Sequence, residues 1–344
     1  MKFTLDRAAL GPLAFGAAAI GNLYSPVSEE VAYESVRNAL SNGLRYFDTA
    51  PFYGFGLSEK RLGKALSELD PDRRSLVSTK VGRKLVADAR ANITGPRQGF
   101  VTPEPYRSEF DYSYDATLRT YEASLRRLRR ERIDILLVHD IGRATHGNDH
   151  SRRFAEFLEG GYRAMRELRD GGAVGAIGLG VNETQVCQEA LAHADFDLVL
   201  LAGRYTLLEQ DALDTLFPLC ERRGVHVVVG GPYNSGILAT GVRGGADLKY
   251  NYAAASPEVI ARVAAIESIC DAHAVPLPAA ALQFPRAHPQ VLTVLAGMAT
   301  SEQVNQAVSH VRRPLPCALW SDLRSAGLIR RDAPVPADAH EPPR

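Results

Sequence analysis

The sequence predicts a single-domain α/β fold, a closed (β/α)8 TIM barrel, and three observations support this prediction. Short apolar segments alternate with longer helical patterns along most of the 344-residue chain. The apolar segments are continuous runs, as expected for parallel strands that are covered on both faces. The pattern contains eight strand–helix units, and this number favours a closed barrel over an open doubly wound sheet.

The predicted strands are short, and several of them end on a polar or titratable residue. In a parallel barrel these ends all lie on one rim, where barrel enzymes carry their active sites. The eight predicted strands cover residues 10–16, 44–50, 75–82, 133–140, 174–179, 198–201, 225–229 and 291–296.

Helix start and stop signals separate these strands. Ser28 can cap the first long helix, and Glu29 and Glu30 suit the positive N-terminal end of its dipole. Asn42-Gly43 is a left-handed stop signal for the same helix. Further helices are predicted to begin at Ser58 and to cover residues 114–130, 154–170, 183–193, 210–223, 257–274, 279–287 and 301–311.

The barrel is predicted to occupy residues 1–330, followed by a proline-rich C-terminal tail at 331–344 that is loose from Ala333 onwards. Two segments, 84–113 and 236–256, are long for loops and follow predicted strands on the functional rim. Long loops at this rim commonly cover a substrate.

Composition and charge indicate a small-molecule ligand. Hydrophobic residues make up 45% of the chain and charged residues 23%, and the 40 basic residues balance the 40 acidic ones. Such a balance argues against an electrostatic grip on nucleic acid or on a membrane surface. We expect neither a signal peptide nor a membrane span, because the N-terminus lacks a long apolar segment and no run of about 18 apolar residues occurs.

The four cysteines, Cys187, Cys220, Cys270 and Cys317, form no CxxC pair. We therefore expect reduced thiols buried as small apolar groups in a cytoplasmic protein. The oligomeric state is left open by the sequence.

Four polar residues are the best candidates for catalysis. Asp48, Lys80 and His139 each end an apolar segment, and Tyr53 lies on the loop after the second strand. A tyrosine with a pKa of about 10 is a poor base at neutral pH. An adjacent ammonium would lower that pKa, a carboxylate could hold the ammonium, and an imidazole could orient the substrate oxygen. Such a set moves a proton, so a nicotinamide or a flavin must carry the hydride.

Each of these residues also has an ordinary structural role, such as a helix cap, a packed ring or a solvated strand end. Two other classes of function also stay open. One is a metal-dependent barrel hydrolase that uses His139, Asp140, His146 and His150, although the last two fall in a Gly-Asn loop. The other is a barrel that binds a nicotinamide without catalysis. No metal site is predicted.

Residues 43–63 and 161–178 resemble the two signature sequences of the aldo-keto reductases. The segments 78–80 and 138–140 match the places of the lysine and the histidine of that family. The resemblance covers about 10–311. It implies a (β/α)8 barrel that binds a nicotinamide dinucleotide without a Rossmann fold, and no GxGxxG follows a predicted strand. It also implies that Tyr53 is the general acid/base, that Lys80 and Asp48 tune it, and that His139 orients the carbonyl or hydroxyl group.

The resemblance implies cofactor contacts near the strand ends. NADP-preferring members carry a cation after strand eight, whereas residues 297–303 contain none and Glu302 would repel a phosphate if it faced inward. We therefore expect NAD, with NADP as a possible alternative. The expected cofactor-binding residues are Gly16, Ala17, Asp48, Asn182, Gly230, Gly231, Gly236, Leu238, Gly297, Met298, Thr300 and Gln303.

Several stretches, including 48–56 and 110–115, look like the branch of the family that oxidises cyclic hemiacetals to lactones. This likeness implies an aldose such as L-fucose or a D-threo-aldose as substrate. The alternatives are pyridoxal, which would give 4-pyridoxolactone, and general aldehyde or ketone reduction. We expect the aldose to be oxidised faster than pyridoxal. The expected substrate-binding residues are Phe52, Tyr53, His139, Asp140, Arg204 and Tyr233.

Overall fold

The computed structural model describes residues 5–243 and 248–336 and contains a closed barrel of eight parallel strands. Neighbours in the barrel are also neighbours in the chain, and β8 closes the ring against β1. The predicted (β/α)8 fold is therefore confirmed. The barrel strands are β1 (Leu13–Gly16), β2 (Tyr46–Asp48), β3 (Leu76–Val81), β4 (Ile133–His139), β5 (Val174–Val181), β6 (Leu198–Ala202), β7 (His226–Gly230) and β8 (Val291–Gly297).

Strand register brings the polar strand ends to one rim. Asp48 pairs with Ser78 between β2 and β3, and Lys80 pairs with Leu137 between β3 and β4. His139 pairs with Gly180 at the end of β5. Because all strands run in the same direction, Asp48, Lys80 and His139 lie on three adjacent strands at the C-terminal rim.

Helices return the chain between strands, and polar side chains cap several of them. Ser28 accepts a hydrogen bond from the backbone N–H of Val31 at 3.2 Å, as its position predicts. The longer helices are Glu29–Ser41, Leu57–Leu69, Tyr114–Leu128, His150–Glu156, Tyr162–Asp170, Gln185–His193, Leu216–Arg223, Pro257–Ala272, Leu277–Gln283, Ser301–Arg312 and Cys317–Ser325. Short helices are Arg7–Leu10, Arg143–His146 and Ile237–Thr240.

Several predicted boundaries are wrong for local reasons. The first strand begins at Leu13 rather than Leu10, because Arg7–Leu10 is a helix that ends at Gly11 with φ +72°. The predicted helix 154–170 is interrupted by a π-helical turn at Phe157–Gly161. The C-terminal helix Cys317–Ser325 was not predicted.

The long segment after β3 is folded rather than irregular. Arg83–Ala87 pairs antiparallel with Tyr106–Phe110, and Pro96–Arg97 pairs with Phe100–Val101 inside that hairpin. We call residues 83–110 the hairpin excursion. Its inner turn is joined to the loop after β1, since the backbone N–H of Tyr24 donates to the carbonyl of Gly99 at 2.8 Å.

The C-terminal segment differs from the expectation of a loose tail. Ala333 and Val335 are buried in the hydrophobic core, so barrel packing continues past residue 330. Residues 337–344 of the predicted tail lie outside the described residues. Cys187, Cys220 and Cys270 are buried free thiols as expected, whereas Cys317 is exposed. In the described parts of the chain, no helix is long and apolar enough to cross a bilayer.

Candidate active site

Lys80 stands at the centre of the polar cluster on the rim. Its Nζ donates to Oδ2 of Asp48 at 2.7 Å, to the carbonyl of Thr49 at 2.8 Å and to the hydroxyl of Tyr53 at 3.1 Å. The side chains of Lys80 and Asp48 are each only 2% exposed. All three hydrogen bonds of the ammonium are therefore used, and its charge is fixed beside the phenol.

The second carboxylate oxygen of Asp48 is also held by a hydrogen bond. Oδ1 accepts a hydrogen bond from the hydroxyl of Ser78 at 2.6 Å, and the Ser78 hydroxyl lies 2.9 Å from the hydroxyl of Tyr46. Burial of this carboxylate is balanced by the Lys80 ammonium and the serine hydroxyl. The pair is thus a satisfied buried ion pair, and its geometry is fixed by strands β2 and β3.

The turn that presents Tyr53 depends on a glycine. Gly54 has φ +63°, and a Cβ at this position would lie 2.3 Å from the carbonyl oxygen of Gly21. Gly180 on β5 plays a different part, because a Cβ there would lie 3.1 Å from Cε of Lys80. The two glycines therefore leave room for the tyrosine turn and for the lysine side chain.

The electrostatics of the pair differ from the sequence expectation. Burial raises the pKa of Tyr53, Lys80 lowers it and Asp48 raises it, and the pKa remains above the ordinary value. Burial alone would lower the pKa of Lys80, but Asp48 and Tyr53 outweigh burial and raise it. Lys80 therefore stays charged, and the lowering of the Tyr53 pKa that the sequence predicts offsets only part of the burial cost at Tyr53.

His139 is a neutral imidazole at this site. Burial lowers its pKa well below the ordinary value, and Lys80 and Arg83 lower it further. Within the described residues, the buried Nδ1 has no hydrogen-bond partner, whereas Nε2 lies 3.6 Å from Oδ2 of Asp140. With its proton on Nε2, His139 can donate toward Asp140 or toward an oxygen in the cavity.

A cavity of 470 Å³ opens above Tyr53. One wall is aromatic and is formed by Tyr24, Phe52, Phe100 and Tyr252, while His139 and Asp140 form part of another. Phe100 lies close to two of the neighbouring rings, at centroid distances of 5.2 Å from Phe52 and 6.2 Å from Tyr53. We call this space the catalytic cavity.

A second cavity of 620 Å³, the distal cavity, adjoins the first. Both cavities share six lining residues, so together they form one elongated groove from Tyr53 to the N-terminus of helix Ser301–Arg312. The shared residues are Ala18, Leu23, Tyr24, Asn182, Ala202 and Tyr252.

The groove fits an elongated nicotinamide dinucleotide. Gly231, Gly236 and Gly297 line the distal cavity, and a Cβ built at Gly236 or Gly297 would meet no described atom within 4 Å beyond its chain neighbours. Backbone open to the cavity in this way allows close approach of a ligand. Gln303 also lines it, and Thr300 caps the neighbouring helix by accepting from the Gln303 N–H at 3.2 Å.

The expected cofactor residues fall into two groups. Asn182, Gly231, Gly236, Gly297, Met298 and Gln303 line the distal cavity. The remaining residues are not part of the lining, because Gly16, Ala17, Gly230 and Leu238 are buried in the wall, Asp48 is covered by Lys80, and Thr300 caps the helix.

The expected substrate residues are divided between the two cavities. Phe52, Tyr53, His139 and Asp140 line the catalytic cavity, but Arg204 and Tyr233 line the distal cavity instead. The guanidinium of Arg204 donates to the carbonyl of Asn182 at 2.7 Å and lies 3.4 Å from Glu209. The structure thus places Arg204 and Tyr233 at the distal cavity rather than the catalytic one, and their contact with a substrate stays a prediction.

Sequence reasoning missed the residues contributed by loops. Tyr24, Gln98, Phe100 and Tyr252 line the catalytic cavity, and Arg83 supports its wall. For Gln98, Phe100 and Tyr252 the only signal was the length and aromatic content of segments 84–113 and 236–256, and Tyr24 lies outside both segments. The four residues of the metal-hydrolase alternative do not converge, because His146 contacts the hydroxyl of Tyr112 and His150 contacts Glu189. Among the described residues, no group of three or more metal-ligating side chains occurs.

A closed parallel barrel with a Tyr–Lys–Asp–His cluster beside a dinucleotide-sized groove defines a class of nicotinamide-dependent oxidoreductases. The chain belongs to the Aldo/keto reductase family, whose sequence model matches residues 12–327. It is accordingly an NAD(P)-dependent oxidoreductase that acts on CH–OH donors.

Individual proteins give the same assignment. The chain is 43% identical to the pyridoxal 4-dehydrogenase of Microbacterium luteolum, over 92% of this chain and 94% of that protein. It is 36% identical to the D-threo-aldose 1-dehydrogenase of a Pseudomonas species, over 93% and 95% of the two chains. A holo aldo-keto reductase structure from Bacillus halodurans matches with a TM-score of 0.70 at 24% identity, over 99% of this chain and 100% of that one, and supports the fold.

Proposed function

We propose that the protein oxidises a cyclic hemiacetal at its anomeric carbon to the lactone, with NAD as the hydride acceptor and Tyr53 as the general base. The contact between Lys80 Nζ and the Tyr53 hydroxyl, 3.1 Å long at the floor of the cavity, is the observation that carries this proposal. A charged ammonium at this distance stabilises a phenolate more than a phenol.

Each residue of the cluster has a separate task. Tyr53 takes the proton from the anomeric hydroxyl, and Lys80 stabilises the charge that appears on the phenol oxygen. Asp48 keeps Lys80 charged and in position. Neutral His139 donates a hydrogen bond to the reacting oxygen. A bound nicotinamide supplies the hydride acceptor.

Two relatives support hemiacetal oxidation. One is named for pyridoxal and the other for D-threo-aldoses, and both compounds can close to a cyclic hemiacetal. Oxidation of a hemiacetal removes one proton from the anomeric oxygen and one hydride from the same carbon. The rim offers one base, Tyr53, beside one donor, His139, which matches that requirement.

An aldose such as L-fucose is the first candidate substrate, because Asp140 offers a polar contact to a ring hydroxyl in the catalytic cavity. Pyridoxal is the second candidate, since the rings of Tyr24, Phe52 and Phe100 suit an aromatic ligand and the 43% identical relative carries its name.

NAD is favoured over NADP by the charges around the distal cavity. Two basic side chains line it in the described part of the chain, Arg204 and His310. Arg204 is already bound to Asn182 and Glu209, and burial lowers the pKa of His310. Neither offers a free positive charge to an additional phosphate group.

A substrate and cofactor screen tests the proposal. We expect NADH to form with L-fucose or a related aldose and more slowly with pyridoxal, and mass spectrometry should identify the lactone as product. The same assay with NAD and NADP at matched concentrations should favour NAD. Activity on simple aldehydes alone would contradict hemiacetal oxidation, and a clear preference for NADP would contradict the cofactor assignment.

A further inference from the structure

We propose that Asp140 determines substrate specificity by accepting a hydrogen bond from a hydroxyl group on the carbon next to the reacting one, and that Arg83 positions its carboxylate. This inference rests on the proposed function and narrows it to hemiacetals that carry such a hydroxyl, as 2-hydroxy aldoses do.

The position of Asp140 follows from the ends of two strands. Asp140 comes directly after His139, and its backbone N–H donates to the carbonyl of Gly180 at 3.1 Å. Its φ of +49° is in the left-handed region, which aspartate tolerates better than most residues. This backbone conformation at the cavity is the kind of local strain that persists at functional sites.

Arg83 holds the carboxylate from outside the cavity. Its guanidinium donates to Oδ2 of Asp140 at 2.9 Å and stacks on Phe52, with the guanidinium carbon 3.3 Å from the ring centroid. The same guanidinium carbon lies 4.8 Å from the centroid of the Phe110 ring. The side chain of Arg83 is 12% exposed and does not line the cavity, whereas Asp140 does. Arg83 therefore positions the carboxylate from behind, and Asp140 is the residue that contacts a ligand in the cavity.

The carboxylate has spare capacity for hydrogen bonds. Within the described residues, Arg83 is the hydrogen-bond donor to Oδ2, and Oδ1 receives no hydrogen bond. An ionised carboxylate can accept several hydrogen bonds, so Oδ1 can accept one from a ligand. Burial raises the pKa of Asp140, and Arg83 opposes that rise.

Distance places this acceptor beside the reacting centre. Oδ2 of Asp140 lies 3.6 Å from Nε2 of His139. An oxygen held by His139 lies about 3 Å from Nε2, so Asp140 faces the adjacent carbon of the substrate rather than a remote part of it. The oxygens of vicinal hydroxyl groups are close enough for His139 to hold one and Asp140 the other.

The test compares an aldose with its 2-deoxy analogue, using Asp140→Asn because asparagine also tolerates positive φ. For the wild type, kcat/KM should be about tenfold or more higher for the aldose, as expected for a hydrogen bond to a charged acceptor. Asp140→Asn should reduce this ratio to about threefold or less by slowing the aldose, with the 2-deoxy substrate nearly unaffected.

Glu109→Gln is the matched control, since Glu109 is a carboxylate on the hairpin excursion that carries Arg83, pairs with Arg107 and does not line the cavity. This variant should keep the wild-type ratio. NAD affinity by fluorescence titration and the thermal unfolding midpoint should match among the three proteins. An unchanged ratio in Asp140→Asn would overturn the inference, whereas a wild type that oxidises neither sugar would overturn the proposed function with it.

Arg83 has its own readout in the pH dependence of the ratio. Arg83 lowers the pKa of Asp140, so Arg83→Met should raise that pKa, and discrimination should be lost as the pH falls through the new value and return above it. Arg83→Lys should restore much of the wild-type profile. The same pH profile in Arg83→Met as in the wild type would refute the positioning role. The titratable groups facing Asp140 are Tyr53, Lys80, Arg83, Tyr112, His139 and Tyr252.

Discussion

The reacting residues and the walls around them are held in place in different ways. Lys80 and Asp48 are 2% exposed and lie on adjacent strands, joined by a fully satisfied hydrogen-bond network. Tyr24 and Tyr252 in the cavity wall are 51% and 67% exposed, and both adopt positive φ on loops. The barrel thus fixes the proton chemistry, while the loops that shape the substrate cavity are less constrained by packing.

The largest expected effect is the loss of turnover when Tyr53 is replaced. Tyr53→Phe removes the phenolic proton acceptor, so we expect kcat to fall by about 100- to 10,000-fold. Cofactor affinity should change by less than about threefold, because the ring remains in place. Steady-state kinetics and fluorescence titration measure the two quantities.

The matched control for that variant is Tyr205→Phe. The hydroxyl of Tyr205 is buried in the core and has no hydrogen-bond partner among the described residues, so its loss should leave kcat unchanged. Turnover by Tyr53→Phe at the rate of this control would rule out Tyr53 as the base.

The next largest effect is expected at Lys80, whose loss should change both the free energy of unfolding and the pH dependence of turnover. Lys80→Met leaves Asp48 buried without its cation, which should lower the free energy of unfolding by about 3–5 kcal/mol in a denaturant titration. Because Lys80 lowers the pKa of Tyr53, its loss should raise that pKa and move the rise of oxidation rate to higher pH.

Lys60→Met is the control for this variant. It removes an ion pair with Glu104 at 2.6 Å, but Lys60 is 47% exposed, so the control should lose at most about 1 kcal/mol. Equal losses of unfolding free energy in the two variants would contradict a larger contribution from the buried Lys80–Asp48 pair than from the exposed one.

A substitution in the cavity wall should change KM rather than stability or kcat. Tyr252→Ala should change stability by no more than about 0.5 kcal/mol, since the side chain is exposed. Loss of the apolar area that a substrate would cover should raise KM by about five- to tenfold, with kcat nearly unchanged. Ile93→Ala removes another exposed apolar side chain, outside the cavity, and should leave KM unchanged. A fall in kcat with unchanged KM would place Tyr252 in the chemistry rather than in the wall.

The same contrast explains what could be predicted from the sequence. Asp48, Lys80 and His139 end apolar runs, and parallel register brings such ends together, so the cluster followed from local pattern. Phe100 reaches the cavity, and Arg83 reaches Asp140 behind it, through antiparallel pairing such as that between Arg83 and Phe110, which no local pattern specifies. Gly230 and Leu238 were expected at the cofactor; both are buried and line neither cavity, and their contact with a cofactor stays a prediction.

The smallest expected effect concerns the distal cavity. Glu302 is exposed in the first turn of helix Ser301–Arg312, and its Oε1 accepts from Gln306, which lines the cavity. Glu302→Lys should raise the NADP-to-NAD ratio of kcat/KM by about three- to tenfold, since a surface charge acts through screened solvent. This rise in the ratio should be largest at low ionic strength, and direct titration of each cofactor should show it without turnover. Glu258→Lys is the matched control, because Glu258 occupies the same position after a capping residue on helix Pro257–Ala272 and shares any cost to the helix dipole. An equal change in both variants would mean that net charge, rather than the place of Glu302 beside the groove, governs cofactor choice.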